Sequence, residues 1–186
     1  STWMGRGDEE SADQAAVESM DKALKGISID GTVRIGENNS NGGSKLVVGE
    51  KVGNGRGPAV DVALMPVEGP TIIAKGEPNG LSVIAMAEGG GFLNVPDLYM
   101  EKIAIGGGYP EGLVDLDNDP AENLRALSEV KDVPVSDLVV CILDRPRHGE
   151  VIAKIREAGA RIMLIVDGDV SGVVATAWPK SGIDMY

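Results

Sequence analysis

The 186 residues carry 17 Lys and Arg against 29 Asp and Glu, a formal charge of −12, which excludes a main role in binding nucleic acid through a basic face. The single cysteine, Cys141, excludes an intrachain disulfide and a thiolate zinc cluster and fits a reducing compartment. No apolar run approaches the ~20 residues needed to cross a membrane.

Aromatic residues make up only 3% of the chain, so the core must rest on Val, Ile, Leu, Met and Ala. The 26 Gly fall in clusters such as 42–43, 53–57, 89–91 and 106–108. That spacing predicts tight connections between short strands.

Taken in chain order, Ala12, Ala16, Met20 and Leu24 recur at helical spacing and predict a helix over 12–25, ended by Gly26. Strands are predicted over 32–35, 45–48, 60–65, 81–87, 92–95 and 103–105. A second helix is expected over 120–130, with Asn118 or Asp119 as its cap and Pro120 in its first turn. The pattern then changes. Residues 138–143 and 161–166 form continuous apolar runs, each followed by a helical segment, 148–158 and 170–177. This is a βαβα unit with parallel pairing. A boundary is expected near 133–137, giving a 1–134 N-terminal metal/phosphatase-type part and a 135–186 start of a C-terminal α/β part. The chain begins STWMGRGDEE without an initiator Met and ends SGIDMY where a further strand is expected. An incomplete or processed chain is therefore the expectation.

Four acidic segments stand at predicted strand ends or helix heads: Asp8 to Asp13, Gly36-Glu37, Asp61 to Glu68, and Asp167 to Asp169. Hard cations such as Mg²⁺ take oxygen ligands, usually a few carboxylates with substrate phosphate and water. Two-metal sites use such carboxylates to activate water and neutralise a leaving phosphate. Each segment alone reads as a cap or turn; their order along the chain is more specific.

The stretches WMGRGDEESADQAAVESM, IDGTVRIGE, VGEKVGNGRGPAVDVAL, VPDLYMEK, ENLRAL, LDRPRH, IREAGARI and DGDV resemble the class II fructose-1,6-bisphosphatases, which act on fructose 1,6-bisphosphate and, in some members, sedoheptulose 1,7-bisphosphate. The resemblance implies a layered α/β/α/β/α fold shared with inositol monophosphatases. It implies metal ligands at Asp13, Glu37 and Glu68, with Mg or Mn as the cation if any is bound. The family motif DPxEGT appears as Met65-Pro66-Val67-Glu68-Gly69-Pro70, so its Asp has become Met65 and its Thr Pro70. The second Glu of the family's GEGE loop falls on Asn39, and the acids after it on Asn41 and Gly42. The family's GRGDK lysine falls on Glu9, and a last metal-binding Glu lies beyond Tyr186. Sugar-phosphate contacts map to Tyr99, Arg145, Arg147, Asp167 and Asp169.

A thioether is a soft, neutral donor and a poor one for Mg²⁺ or Mn²⁺. Asn39 and Asn41 keep a carbonyl oxygen but lose charge and cannot act as general base. Pro70 offers a phosphate neither a hydroxyl nor an N–H. Phosphoryl transfer depends on positioning and charge neutralisation, so these losses imply a pseudoenzyme, a structural or regulatory subunit with other protein chains as partners. A working bisphosphatase and a non-hydrolysing sugar-phosphate sensor using Arg145 and Arg147 are the competing expectations. A plastid stroma and a bacterial cytoplasm both fit. His148, the only histidine, is expected to cap or pack at a helix start, and Cys141 to be buried. The GNGRG run at 53–57 lacks the following helix of a nucleotide loop.

Overall fold

The computed structural model describes residues 2–38, 45–93, 95–96 and 98–186. They form two compact units, Ser1–Asp97 and Leu98–Tyr186, each with mixed helices and strands in an α/β arrangement.

The first unit opens with helix α1, Glu9–Leu24. It begins three residues before the predicted start because the Asp8 carboxylate accepts the Ser11 N–H (3.0 Å) and Glu9 and Glu10 face the positive end of the helix dipole. A sheet in the order β2-β1-β3-β4 follows, built from β1 (Asp30–Ile35), β2 (Lys51–Val52), β3 (Ala59–Glu68) and β4 (Leu81–Glu88). β1 and β3 are parallel; β2 and β4 run antiparallel to their neighbours. Val17 and Leu24 of α1 pack on Val33, Val62 and Leu64, so the core lies between the helix and one sheet face. Ile84 and Met86 stand opposite Leu64 and Val62 in the ladder. Both are partly exposed, because β4 is the outermost strand among the described residues.

Several local expectations give way to turn chemistry. Residues 45–50 form a turn held to β1 by backbone bonds, the Val33 N–H donating to the Glu50 carbonyl (3.0 Å) and the Gly49 N–H to that of Val33 (2.8 Å), with a bridge between Glu37 and Val47 beyond the strand. The described residues of 92–95 form no strand. The chain makes a helix at α2, Pro70–Lys75, where sequence patterning signals nothing: Pro70 occupies its first position, and Gly69 turns into it with φ 87°. In the 53–57 loop, Gly53 has φ 94°, and a Cβ there would meet the Ile29 carbonyl oxygen at 2.3 Å. Gly57 is closed to a side chain in the same way, a Cβ there meeting the Ser28 carbonyl oxygen at 2.0 Å.

In the second unit, α3 (Pro120–Lys131) starts on a complete capping box. Asp119 accepts from the Ala121 N–H (3.0 Å) and Glu122 reaches back to the Asp119 N–H. Strands β5 (Val139–Leu143) and β6 (Arg161–Ile165) pair in parallel through α4, Gly149–Glu157, as the βαβ pattern predicts, and α5 (Asp169–Thr176) follows β6. Leu124 and Leu127 of α3 are fully buried with Leu138, Val140 and Ile155 in one cluster. This shared core makes the compact units divide at 97/98, earlier than the 134/135 boundary expected from the change of pattern. The predicted strand at 103–105 reduces to backbone pairing with the last residues. Ala104 and Tyr186 exchange both N–H···O bonds (2.9 and 2.8 Å), and Met185 in turn accepts from the Cys141 N–H (2.8 Å). Cys141 is buried, and burial pushes its thiol pKa up. Among the described residues no helix is long and apolar enough to cross a membrane.

Candidate functional site

Two groups of predicted site residues lie on separate units. In the first unit, parallel pairing puts the carboxyl ends of β1 and β3 at the same sheet edge. The start of the chain is tied to α2, which follows β3: Gly5 N–H donates to the Ile73 carbonyl and Gly7 N–H to that of Ala74, both at 2.9 Å. The N-terminal half of α1 is thereby held at that same edge. Asp13 on α1, Glu37 after β1, and Met65 and Glu68 at the end of β3 all belong to it.

Asp13 and Glu37 are close enough to sense each other. Burial pushes both carboxyls above the ordinary range, and the Asp13 charge raises Glu37 further. Two partly desolvated acids that repel each other attract a cation or a proton. Glu68 is 3% exposed, beyond an irregularity in the β3–β4 register that falls between Met65 and Glu68. Met65, where the family motif carries Asp, is 43% exposed. It shares a sheet face with Ala63 and Asp61, opposite the face bearing Leu64. Asn39 and Asn41 lie outside the described residues. Among the described residues no three His, Cys, Asp or Glu converge as metal ligands. The structure therefore brings Asp13 and Glu37 together and leaves Glu68 at the same edge without completing a cluster. A thioether at 65, toward the same sheet edge, does not fit a carboxylate-rich two-cation centre.

Asp61 opens the same stretch, and its role is architectural. It accepts from Arg34 Nε (2.9 Å) and the Gly90 N–H (2.7 Å), and the Gly90 bond, followed by Arg34, holds its carboxyl below the usual range.

In the second unit the candidate ligand residues gather at the carboxyl ends of β5 and β6, where open α/β sheets bind ligands. Leu143 pairs with Ile165, and the Asp144 N–H donates to the Ile165 carbonyl (2.8 Å), so the loops leaving the two strands begin side by side. The first carries Arg145 and Arg147; the second carries Asp167, Gly168 and Asp169. Gly168 has φ 86° and donates its N–H to Asp167 Oδ1 (3.0 Å), turning the chain so that Asp169 opens α5. Arg145 Nη1 donates to the Asp144 carbonyl (3.1 Å), and the Arg147 guanidinium lies 4.8 Å from the Tyr99 ring centroid. Neither arginine forms an ion pair among the described residues, although pairing with nearby acids is the ordinary fate of such side chains. His148 heads α4 without capping it through its side chain; its Nδ1 lies 2.8 Å from the Leu143 carbonyl oxygen.

Sequence patterning gives no signal for Lys102, whose Nζ lies 3.7 Å from Asp169 Oδ2. Nor does it foresee the stacking of Arg147 on Tyr99. Both contacts join segments more than forty residues apart, and neither leaves a local periodicity.

The sequence profile of the family described as bacterial fructose-1,6-bisphosphatase, glpX-encoded, matches residues 1–186. The chain is 45% identical over 183 residues to the fructose-1,6-bisphosphatase 1 class 2 of Escherichia coli strain K12. It has the same identity over the same length to the fructose-1,6-bisphosphatase class 2 of Escherichia coli O6:H1 and to that of Shigella flexneri. Each match covers 98% of this chain and 54% of the relative, so the chain spans about half the length of these curated relatives. Family membership suggests metal dependence and leaves the cation unspecified. The chain belongs to the class II fructose-1,6-bisphosphatase family.

Proposed function

We propose that this chain is a class II fructose-1,6-bisphosphatase-type protein that has lost phosphate hydrolysis, retains a sugar-phosphate-binding edge, and serves as a structural or regulatory subunit of a larger assembly. The observation that carries the reading is Met65, a half-exposed thioether at the sheet edge shared with Asp13, Glu37 and Glu68. In-line phosphoryl transfer needs charge neutralisation at that place, and a thioether supplies none. The second unit supports the retained half: Arg145 and Arg147 form no ion pair among the described residues and lie at the edge where α/β sheets take ligands. Outer strands with exposed Met163, Leu164, Ile84 and Met86 favour protein partners. The bacterial relatives favour a bacterial cytoplasm over a plastid stroma as the compartment.

The test is an assay for phosphate release from fructose 1,6-bisphosphate with Mg²⁺ or Mn²⁺. The expected result is turnover orders of magnitude below that of the Escherichia coli K12 relative, and comparable turnover overturns the proposal. A working bisphosphatase is the competing reading, favoured by the retained Asp13–Glu37 pair, and the same assay decides it.

A further inference from the structure

Three Asn-Gly pairs occur in the sequence, at 41–42, 54–55 and 79–80. The first lies outside the described residues. In such a pair the backbone nitrogen of the glycine can attack the asparagine side-chain amide, because glycine brings no side chain to hinder the approach. The fold treats the two described pairs differently, although both asparagines are exposed.

Asn54 is held on both sides of the reacting bond. Its Nδ2 donates to Ser28 Oγ (3.2 Å), its Oδ1 accepts the Arg56 N–H (2.9 Å), and the Gly55 N–H donates to the Ile29 carbonyl (3.0 Å). The amide carbon and the nitrogen that would attack it are thus tied to separate partners. Asn79 and Gly80 lie in the connection between α2 and β4. Among the described residues no hydrogen bond holds the Asn79 side chain or the Gly80 N–H.

Packing also selects the two residues of this pair. Asn79 has φ 77°, a left-handed conformation that asparagine tolerates better than most residues with a side chain. A Cβ at position 80 would meet the Ile73 side chain of α2 at 2.6 Å, so glycine fits there without displacing it.

We propose that Asn79-Gly80 is a site of spontaneous deamidation in the folded protein, with water as the co-reactant. The Gly80 nitrogen gives its proton to solvent base and attacks Cγ of Asn79. The N–Cγ bond forms, the Cγ–Nδ2 bond breaks, and the amide nitrogen takes a proton from water and leaves as ammonia. Water then opens the cyclic imide at either carbonyl, giving aspartate or, where the backbone now runs through the side chain, isoaspartate. Nothing is oxidised or reduced. Either product adds a negative charge. Isoaspartate also lengthens the backbone by a methylene just ahead of Leu81, the register partner of Glu68.

The test is incubation of the full chain in mildly alkaline buffer, folded and in urea, with peptide mapping by mass spectrometry to follow acid formation at 54 and 79. In the folded protein, position 79 should convert roughly tenfold faster than 54 or more, since the hydrogen bonds around Asn54 must open before it reacts. In urea the two rates should converge, because each pair then has the same local chemistry and no fixed partners. Equal rates in the folded protein, or faster conversion at 54, overturn the proposal. So does a folded chain in which 79 stays intact while the same position converts in urea, a result that makes the native turn protective.

Discussion

Replacing Leu127 by Ala probes whether α3 and the β5–β6 sheet share one core. Leu127 is 0% exposed and packs in the cluster that holds Leu124, Leu138, Val140 and Ile155. Truncation removes three buried carbons, worth about 2.4 kcal/mol in transfer free energy at about 0.8 each. The unfilled space adds to this, for a total of about 3–4 kcal/mol. That is a large share of the ~5–15 kcal/mol that holds a typical domain together. For a unit of this size it corresponds to a fall in melting temperature of roughly 15 °C. Urea unfolding followed by circular dichroism measures the loss, and amide hydrogen exchange locates it. Exchange should quicken in β5, at Val140 and Cys141, as well as in α3, while Leu127→Met should cost under ~1.5 kcal/mol. A loss below about 1 kcal/mol, or quickened exchange confined to α3, refutes the shared core and favours a boundary near residue 134.

The combined change Met65→Asp, Asn39→Glu and Asn41→Asp restores the carboxylates that the family resemblance implies at these positions, and calorimetry with Mn²⁺ should show a gain in affinity over the unaltered chain; no gain counts against the assignment of these positions. Asp61, whose carboxyl pKa is lowered first by the Gly90 N–H and then by Arg34, stabilises the fold above the ordinary aspartate range and loses that effect as pH falls through its folded pKa. Asp61→Asn should therefore be less stable than the parent at neutral pH, with the gap closing below about pH 3.9. The sign is reversed for Glu37, raised by burial and then by Asp13: its favourable contribution is present at low pH and lost as pH rises through the folded value. Glu37→Gln should gain stability at neutral pH in metal-free chemical denaturation, and a loss there contradicts the Asp13–Glu37 repulsion. Gly53→Ala places a Cβ against the Ile29 carbonyl at φ 94° and should cost about 1–3 kcal/mol or more in thermal melts.

The elements with internal repetition were legible from the residues alone. Helices α1, α3 and α4 follow apolar spacing and end signals, and Asp119-Pro120 announces α3 almost to the residue. β5 and β6 are continuous apolar runs of the kind parallel strands carry, although Met163 and Leu164 of β6 remain exposed among the described residues. What escaped was decided by tertiary geometry. The stretch 45–48 has strand composition, yet its backbone is spent on a turn in which the Glu50 carboxylate accepts the Val47 N–H at 3.1 Å. α2 is too short to show a period, and it exists because Gly69 and Pro70 turn the end of β3 into a helix. In the site, residue identity pointed to Asp13, Glu37, Glu68 and the two arginines. The mutual charge of Asp13 and Glu37, and the segment linking Arg147 to Asp169 through Tyr99 and Lys102, became visible only where distant segments meet.

Among the described residues β4 and β6 are outer strands, which has a consequence for handling the protein. Each presents backbone donors and acceptors along one side, with Ile84, Met86, Met163 and Leu164 nearby, the kind of border along which sheets of separate molecules zip together. What opposes this is the net charge of −12, a repulsion that acts over only about 8 Å at physiological ionic strength and about 3 Å in molar salt. Dilute buffer well above the isoelectric point near 4.5 keeps molecules apart. Added salt, or acidification toward that point, brings the borders within reach of one another. Light scattering across a salt series therefore reads the sheet edges directly, with turbidity rising as the electrostatic cushion thins.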